Sequence, residues 1–264
     1  MDNSNSNESA SLAASKETKP AGKARYYLYA IIPVSAAESL GAVGIAGAEV
    51  TAVAVGGVAA MVSRSPVERI RPERRNLAAH SAVLKQLSAV TTVLPMSFGT
   101  IATSEDAIRD TLRRNQDLFL AQMKLVAGKL EMGLRVEWDV ANVFEYVVSH
   151  NAELRSQRDE MLKSGQPGRD DMIRIGQQFE RTLNHERDRL YERVSSALAR
   201  SGVVVKRLAP RSEREVMNLA CLIPREQQES FESVVFEAAK GLDSSYVFNL
   251  SGPWSPHNFV DVTL

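Results

Sequence analysis

Four histidines and one cysteine are the side chains from which a metal or nucleophilic centre could be built in this 264-residue chain. His80, His150, His185 and His257 are scattered, with no HxxxH or HxH pair to bring two imidazoles onto one face, so no zinc-type site is expected. Cys221 lies in the apolar run Leu219-Ala220-Cys221-Leu222-Ile223, where a small buried residue fits better than a reactive one. No GxSxG, CxxC or Cys/His arrangement is present to activate a nucleophile. Gly41, Gly44 and Gly47 recur every three residues but lack the GxGxxG spacing and the Lys-Ser/Thr ending of a phosphate loop. They read as an ordinary loop. No catalytic residue, metal ligand or cofactor site is expected. His80 falls on the apolar stripe of a helix, three residues after Leu77 and four before Leu84, the setting of a hydrogen-bonded, half-buried imidazole. His185-Glu186 sits in a charged helix and reads as a solvated pair.

Composition narrows the class. Lys and Arg number 32 and so do Asp and Glu, so no net field steers the chain to nucleic acid or to an anionic membrane. The N-terminus is polar and has no apolar signal region, which implies a cytoplasmic protein. Residues 1–24 are rich in Ser, Asn, Ala and Lys and read as a disordered tail. Leu40 to Val62 approaches a bilayer span in length, but its glycines and Glu49 argue against insertion. A hairpin accounts for it, with strands about Val50–Val55 and Val58–Val62 around Gly56-Gly57.

The remaining elements follow from periodicity. Tyr26 to Ile32, aromatic and β-branched and stopped by Pro33, reads as a buried strand. A helix starts with Pro72 at its first position and buries Leu77, Leu84 and Leu87. Thr92 to Gly99 reads as a strand bent at Pro95. Thr103 or Ser104 caps one helix whose stripe runs Ile108, Leu112, Phe119, Met123, Val126, Leu130. Leu134 to Val140 alternates as a half-buried strand. Two long amphipathic helices occupy 141–200, the first with Val143, Phe144, Val147, Val148, Leu154, Met161 and Leu162, the second with Phe179, Leu183, Leu190, Val194 and Ala197. They are joined by a reversal at Ser164-Gly165-Gln166-Pro167-Gly168. Strands at Val203–Leu208 and Val216–Ile223, a helix with Phe231, Val234, Val235 and Ala238, and a strand at Ser245–Leu250 complete the order.

From Leu134 that order is βαββαβ, a ferredoxin-like pattern with its first crossover enlarged into the helical pair. The N-terminal half has nearly the same order if the Ser35–Leu40 region forms its first crossover. The expected fold is therefore α+β in two domains: 25–131, a small α/β sandwich of related order, and 132–264, a ferredoxin-like domain carrying the pair 141–200 and a closing tail 251–264. In that tail Gly252, Pro253 and Pro256 argue against regular structure. Trp254 and Phe259 are expected to anchor it by burial.

Several stretches, taken in order, resemble the GvpF/GvpL family of gas vesicle proteins. They are Tyr27-Leu28-Tyr29-Ala30, Arg71-Pro72 with His80 and Leu84, the run Val93 to Thr100 (VLPMSFGT), Val136-Glu137-Trp138, and the run Gly252 to Val260 (GPWSPHNFV). Together they span about 25–260. The closing motif departs mildly, with Ser255 where the family commonly has Pro and His257 where it has Tyr. The resemblance implies a two-domain α+β protein, non-enzymatic, that helps to build hollow gas-filled protein shells in the cytoplasm. It implies an assembly factor or minor shell component that binds the small hydrophobic shell protein, keeps it from aggregating, and meets other accessory proteins, with no nucleic acid or membrane partner. Arg71, His80, Phe98, Trp138, Trp254 and Phe259 are the candidate structural or partner-binding residues. A tandem ferredoxin-like module that senses a small molecule is the alternative, and it predicts a closed polar pocket between the modules. The apolar stripes of the helical pair must pack on each other, on the sheet or on a hydrophobic client, and for a protein that handles a shell subunit the client is the first option to test.

Overall fold

The computed structural model describes residues 24–262 except 164, 166 and 167. The tail 1–24, apart from its last position, lies outside the described residues, as do part of the 164–168 reversal and the last two residues of the closing tail. The described chain is α+β, built on two antiparallel sheets.

The first sheet contains β1 (Arg25–Pro33), β2 (Val50–Val55), β3 (Val58–Ser65), β4 (Leu94–Pro95) and β5 (Ile101–Ala102). Its order is β2-β3-β1-β4, with β5 also paired to β1. The expected hairpin closes with Val55 opposite Val58, and Gly56 takes φ +56° at the turn, where a Cβ would be costly. A bulge in β1 between Leu28 and Ala30 re-aims its side chains. Leu28 and Ile31 face one core while Tyr27, Tyr29, Ala30 and Ile32 face the other. Because both faces of β1 are apolar, both must be covered. Helix α1 (Arg74–Val90) covers the tyrosine face with Val83, Leu84 and Leu87, and α2 (Glu105–Arg114) and α3 (Gln116–Val126) cover the other with Ile108, Leu112, Phe119 and Met123.

The second sheet contains β6 (Lys129–Trp138), β7 (Val204–Leu208), β8 (Glu215–Pro224) and β9 (Tyr246–Trp254), in the order β7-β8-β6-β9. Counted in its own chain order, each sheet therefore runs 2-3-1-4. Two crossovers, each split by an antiparallel strand, produce that order. On one face of the second sheet lie α4 (Val143–His150), α5 (Ala152–Lys163), α6 (Arg169–Arg200) and α7 (Phe231–Ala239). They share a core of Leu134, Val136, Trp138, Val147, Leu154, Leu190, Val194 and Phe231. The alternation of β6 sends Glu131, Arg135 and Glu137 to the opposite face. There Arg135 pairs with the buried Glu215 at 2.8 Å, and Leu222 joins the core of the first unit.

Several expectations are corrected. The stripes of the helical pair are not free for a client, because Val147, Leu154, Leu183, Leu190 and Val194 are buried within the second core. Leu162, expected on the stripe, is exposed, as are Met172 and Ile173 at the same end. The first helix of the pair is two, α4 and α5, divided at Asn151, whose Oδ1 accepts the Leu154 N–H (2.9 Å) and so opens a new helix. The helix expected to run to Leu130 is also two. It divides at Asn115, which returns both its backbone N–H and its Nδ2 to the Thr111 carbonyl (3.1 and 3.0 Å). Ser104 caps α2 through the Ala107 N–H (3.1 Å). Leu130 belongs to β6, so a division at 131 would cut that strand; Gly128, at φ +67°, turns the chain from α3 into it. Leu77 faces solvent, and α1 begins at Arg74, two residues after Pro72. The 92–99 strand shrinks to the Leu94–Pro95 pairing with β1. The closing tail is partly regular: β9 continues through Gly252-Pro253-Trp254, with Trp254 opposite Glu131, and 257–259 form a short 3-10 turn.

Candidate functional site

The candidate residues resolve into three settings, of which the first is a sealed aromatic cluster. Tyr27 and Tyr29 project from β1 onto α1, where His80 stacks on Tyr29 (centroids 5.7 Å apart) and meets Tyr27 and Phe98 edge-on. The Tyr27 oxygen accepts the Gly99 N–H (3.1 Å) and shares a hydrogen bond with His80 Nδ1 at 2.9 Å. The Met96 backbone carbonyl lies within hydrogen-bonding reach of the same imidazole. Burial pushes the Tyr27 phenol up to about 12 and, reinforced by the nearby His257, pushes His80 down to about 4. At neutral pH the cluster is uncharged. The Tyr29 hydroxyl accepts the Ile45 N–H (2.9 Å) and bonds Ser63 Oγ (2.9 Å). It thereby pins the first crossover to the sheet, and it explains Gly44. A Cβ there would stand 2.6 Å from that hydroxyl and 2.7 Å from the Ala48 carbonyl, so the glycine permits a close approach rather than cradling a phosphate.

The second setting is a cleft of about 1120 Å³ between the two units. One wall is the outer side of α1 through Val93, including Lys85, Ser88 and Val90; the other is the start of β6 and the end of β9 with the segment after it. Exposed apolar surface lines it, since Val90 is 78% and Trp254 52% accessible. The segment after β9 is held at three points, two on the first unit and one on β6 of its own sheet. Ser255 Oγ meets Ser88 Oγ at 2.6 Å. Asn258 gives its backbone N–H (2.8 Å) and its side-chain amide (2.6 Å) to the two oxygens of Glu131. The Gln122 amide exchanges two bonds with the Asp261 backbone, at 2.5 and 2.9 Å. Burial raises Glu131 above the usual carboxylate range, and both Asn258 bonds and the charge of Lys206 resist that shift.

The third setting is a polar recess of about 340 Å³ walled by Trp138, Tyr146, His150, Tyr246 and the α6 arginines. Those arginines are already engaged, Arg189 with Glu186 at 2.8 Å and Arg193 with the Lys240 carbonyl at 2.6 Å.

The structure thus distributes the six candidates. His80 and Phe98 share the aromatic cluster. Trp138 is buried in the second core, its backbone N–H bonded to the Arg214 carbonyl (2.9 Å) and its ring near the Arg187 guanidinium (5.8 Å). Arg71 is exposed and contributes its carbonyl, which accepts the Glu73 N–H and the Asn76 amide at 2.8 and 3.0 Å. Phe259 is half-buried against the first core. Trp254 does not anchor the tail by burial. It ends an edge strand whose outer side carries no covering element among the described residues, so its ring stands open on the cleft. Sequence reasoning missed Glu131, Asn258, Ser88 and Gln122. The available signal was Glu131 itself, a lone acid between Leu130 and Met132 on an apolar strand.

Chemistry is sparse around these groups. Among the described residues no three His, Cys, Asp or Glu side chains gather as metal ligands would. The Cys221 thiol is buried and pushed up to about 12, which disfavours the nucleophilic thiolate. No described helix is long and apolar enough to cross a membrane.

Comparison with known proteins gives one consistent answer. The family model described as gas vesicle synthesis protein GvpL/GvpF matches residues 25–261. A gas vesicle protein F of Streptomyces sp. is 26% identical over 224 residues, covering 85% of this chain and 93% of the relative. A gas vesicle protein L of the same organism is 26% identical over 194 residues, covering 70% and 68%. The crystal structure of GvpF from Anabaena sp. superposes with a TM-score of 0.77 at 23% identity, over 91% of this chain and all of that one. That of GvpF from Microcystis aeruginosa gives 0.75 at 21%, over 90% and 99%. At these identities the two structures speak to the fold, whose two sheets and mixed helices they share with this chain. The match over 25–261 takes in the sealed cluster, the cleft and the strap alike, and the chain belongs to the GvpL/GvpF family of gas vesicle synthesis proteins.

Proposed function

We propose that this protein is an accessory factor of gas vesicle formation. In this reading it holds the small hydrophobic shell protein in the cleft between its two units and keeps it from aggregating before it polymerises. Family membership supports the vesicle role. The observation that carries the holding role is the cleft itself, about 1120 Å³ with Val90 and Trp254 on its walls. Exposed apolar groups gathered in a concave site usually mark a place where another apolar surface docks. Each large apolar side chain of a client transferred from water into such a site gains about 1.5–3 kcal/mol. Two or three insertions would hold a client reversibly, as a carrier must. Nothing in the arrangement calls for catalysis, and the other vesicle accessory proteins are further partners in this reading.

The test is co-expression with the shell protein and recovery of the soluble complex. Wild-type protein should retain shell protein in solution and co-purify with it, and Trp254→Asp should lose most of it without unfolding. Equal recovery with the variant would sink the assignment to the cleft.

A further inference from the structure

The cleft combines apolar lining with charged side chains, and most of those charges are positive. Lys85 on α1, Lys129 at the start of β6 and Arg225 after β8 all line it. Glu131 is the one carboxylate among the described lining residues. Its two oxygens are taken by Asn258, and Lys206, which reaches the Asn258 carbonyl at 2.8 Å, sits beside it. Two of the lining cations also touch helix ends. Lys129 Nζ donates to the Leu125 carbonyl of α3 at 3.0 Å, and Arg225 to the Ser88 carbonyl of α1 at 2.5 Å. A helix C-terminus carries roughly half a negative charge, so two ends offset about one of the cations. An excess of positive charge remains beside the apolar lining. His257, whose pKa is lowered by burial, adds nothing to it at neutral pH.

We infer that the segment this cleft takes is an apolar stretch flanked by carboxylates, with its side chains against Val90 and Trp254 and its acids facing Lys85, Lys129 and Arg225. The inference rests on the reading of the cleft as the client site and adds the chemistry by which the client is chosen. Charge complementarity at a rim contributes more to selection and approach than to total affinity. Basic or neutral apolar segments of equal size are then held less well. Because these cations are exposed or half-exposed, the selection weakens as salt rises.

The experiment uses the full chain and three synthetic amphipathic peptides with one apolar face, flanked by Glu, Gln or Lys. Binding is followed by titration calorimetry at low and at high salt. The Glu peptide should bind about tenfold more tightly than the Lys peptide, with the Gln peptide between them and the spread narrowing in salt. Lys85→Glu with Lys129→Glu should reverse the order, and Lys85→Arg with Lys129→Arg should preserve it. Far-UV circular dichroism checks that each variant is folded. Equal binding of the Glu and Lys peptides, binding of none, or a preference indifferent to the double Glu variant would overturn the inference. So would self-association of the free protein that Trp254→Asp abolishes, since a second copy would then be the occupant. Co-expression with the shell protein separates the two claims. If wild type and the double Glu variant retain shell protein equally while Trp254→Asp does not, the cleft stands and the charge selection falls. If Trp254→Asp also retains it, the cleft reading itself falls.

Discussion

The two sheets share one strand order but differ in how the chain crosses from their first strand to their second. In the first unit the crossover is the short stretch between Pro33 and Val50, with two 3-10 turns in place of a helix. In the second it is α4, α5 and α6, between Trp138 and Val204. A short crossover cannot bury a sheet face, so the first unit takes its cover from α1 and from α2 and α3, which follow later in the chain. It secures its loop with the Tyr29 hydroxyl instead. The long crossover supplies its own cover, and the second unit leaves its other face polar, with Arg135 and Glu215 paired across it. One topology thus tolerates a loop or a helical hairpin at the same place, provided that some other element seals the core. Where the units meet, Leu222 of the second sheet joins the first core, and a strap from Ser255 to Asp261 runs beside a cleft that stays open.

Four substitutions break or sharpen this contrast. The largest effect should come from Trp138→Ala, which empties the centre of the second core and should lower unfolding free energy by about 3–5 kcal/mol in denaturant titration. Next is the pH dependence of the first unit. His80 has an ordinary value of 6.5 and is held at about 4 in the fold, so the unfolded chain binds a proton that the folded chain refuses. Stability from this group is intact above about 6.5 and lost as pH falls toward 4, by at most about 3 kcal/mol. His80→Asn should remove that slope. Glu131, raised by burial, acts in the opposite sense as acid is added, so the difference between variant and wild type is the readout. Third, Asn258→Ala removes the side-chain amide bond to the buried Glu131 carboxylate while keeping the backbone N–H bond, and should cost about 1–3 kcal/mol. It should also loosen the joint, seen as faster amide exchange in 255–262. Smallest is Trp254→Ala, an exposed ring on an edge strand, expected within about 0.5 kcal/mol of wild type.

Much of the fold was legible in local pattern. The Gly56-Gly57 hairpin, the apolar run of β1 and the alternation of β6 each follow from residue type and period. What escaped was whatever depended on a distant partner. Leu77 shares helical spacing with Leu84, but only the sheet decides which side of α1 is covered, and it covers His80 and Val83. Gly252-Pro253-Trp254 reads as a loop because prolines do not donate to a ladder, yet an edge strand tolerates one. The strap was least visible: Asn258 and Glu131 lie 127 residues apart, and although Asn258 falls in the closing motif, nothing local pairs it with Glu131. The sealed His80 cluster was half legible, since the stripe predicted burial but not that Tyr27 and Tyr29 would supply the partners. The cleft was not legible at all, because Trp254 was expected inside.

The central question is whether a client meets the cleft or another exposed apolar surface, such as Leu162, Met172 and Ile173 at the far end of the helical pair. Photocrosslinking in assembling vesicles decides it, with a photoreactive side chain placed at Val90 in one sample and at Leu162 in another. The cleft account predicts a strong crosslink to shell protein from Val90 and little from Leu162. A strong crosslink from Leu162 with none from Val90 would contradict it and move the client to the helical pair.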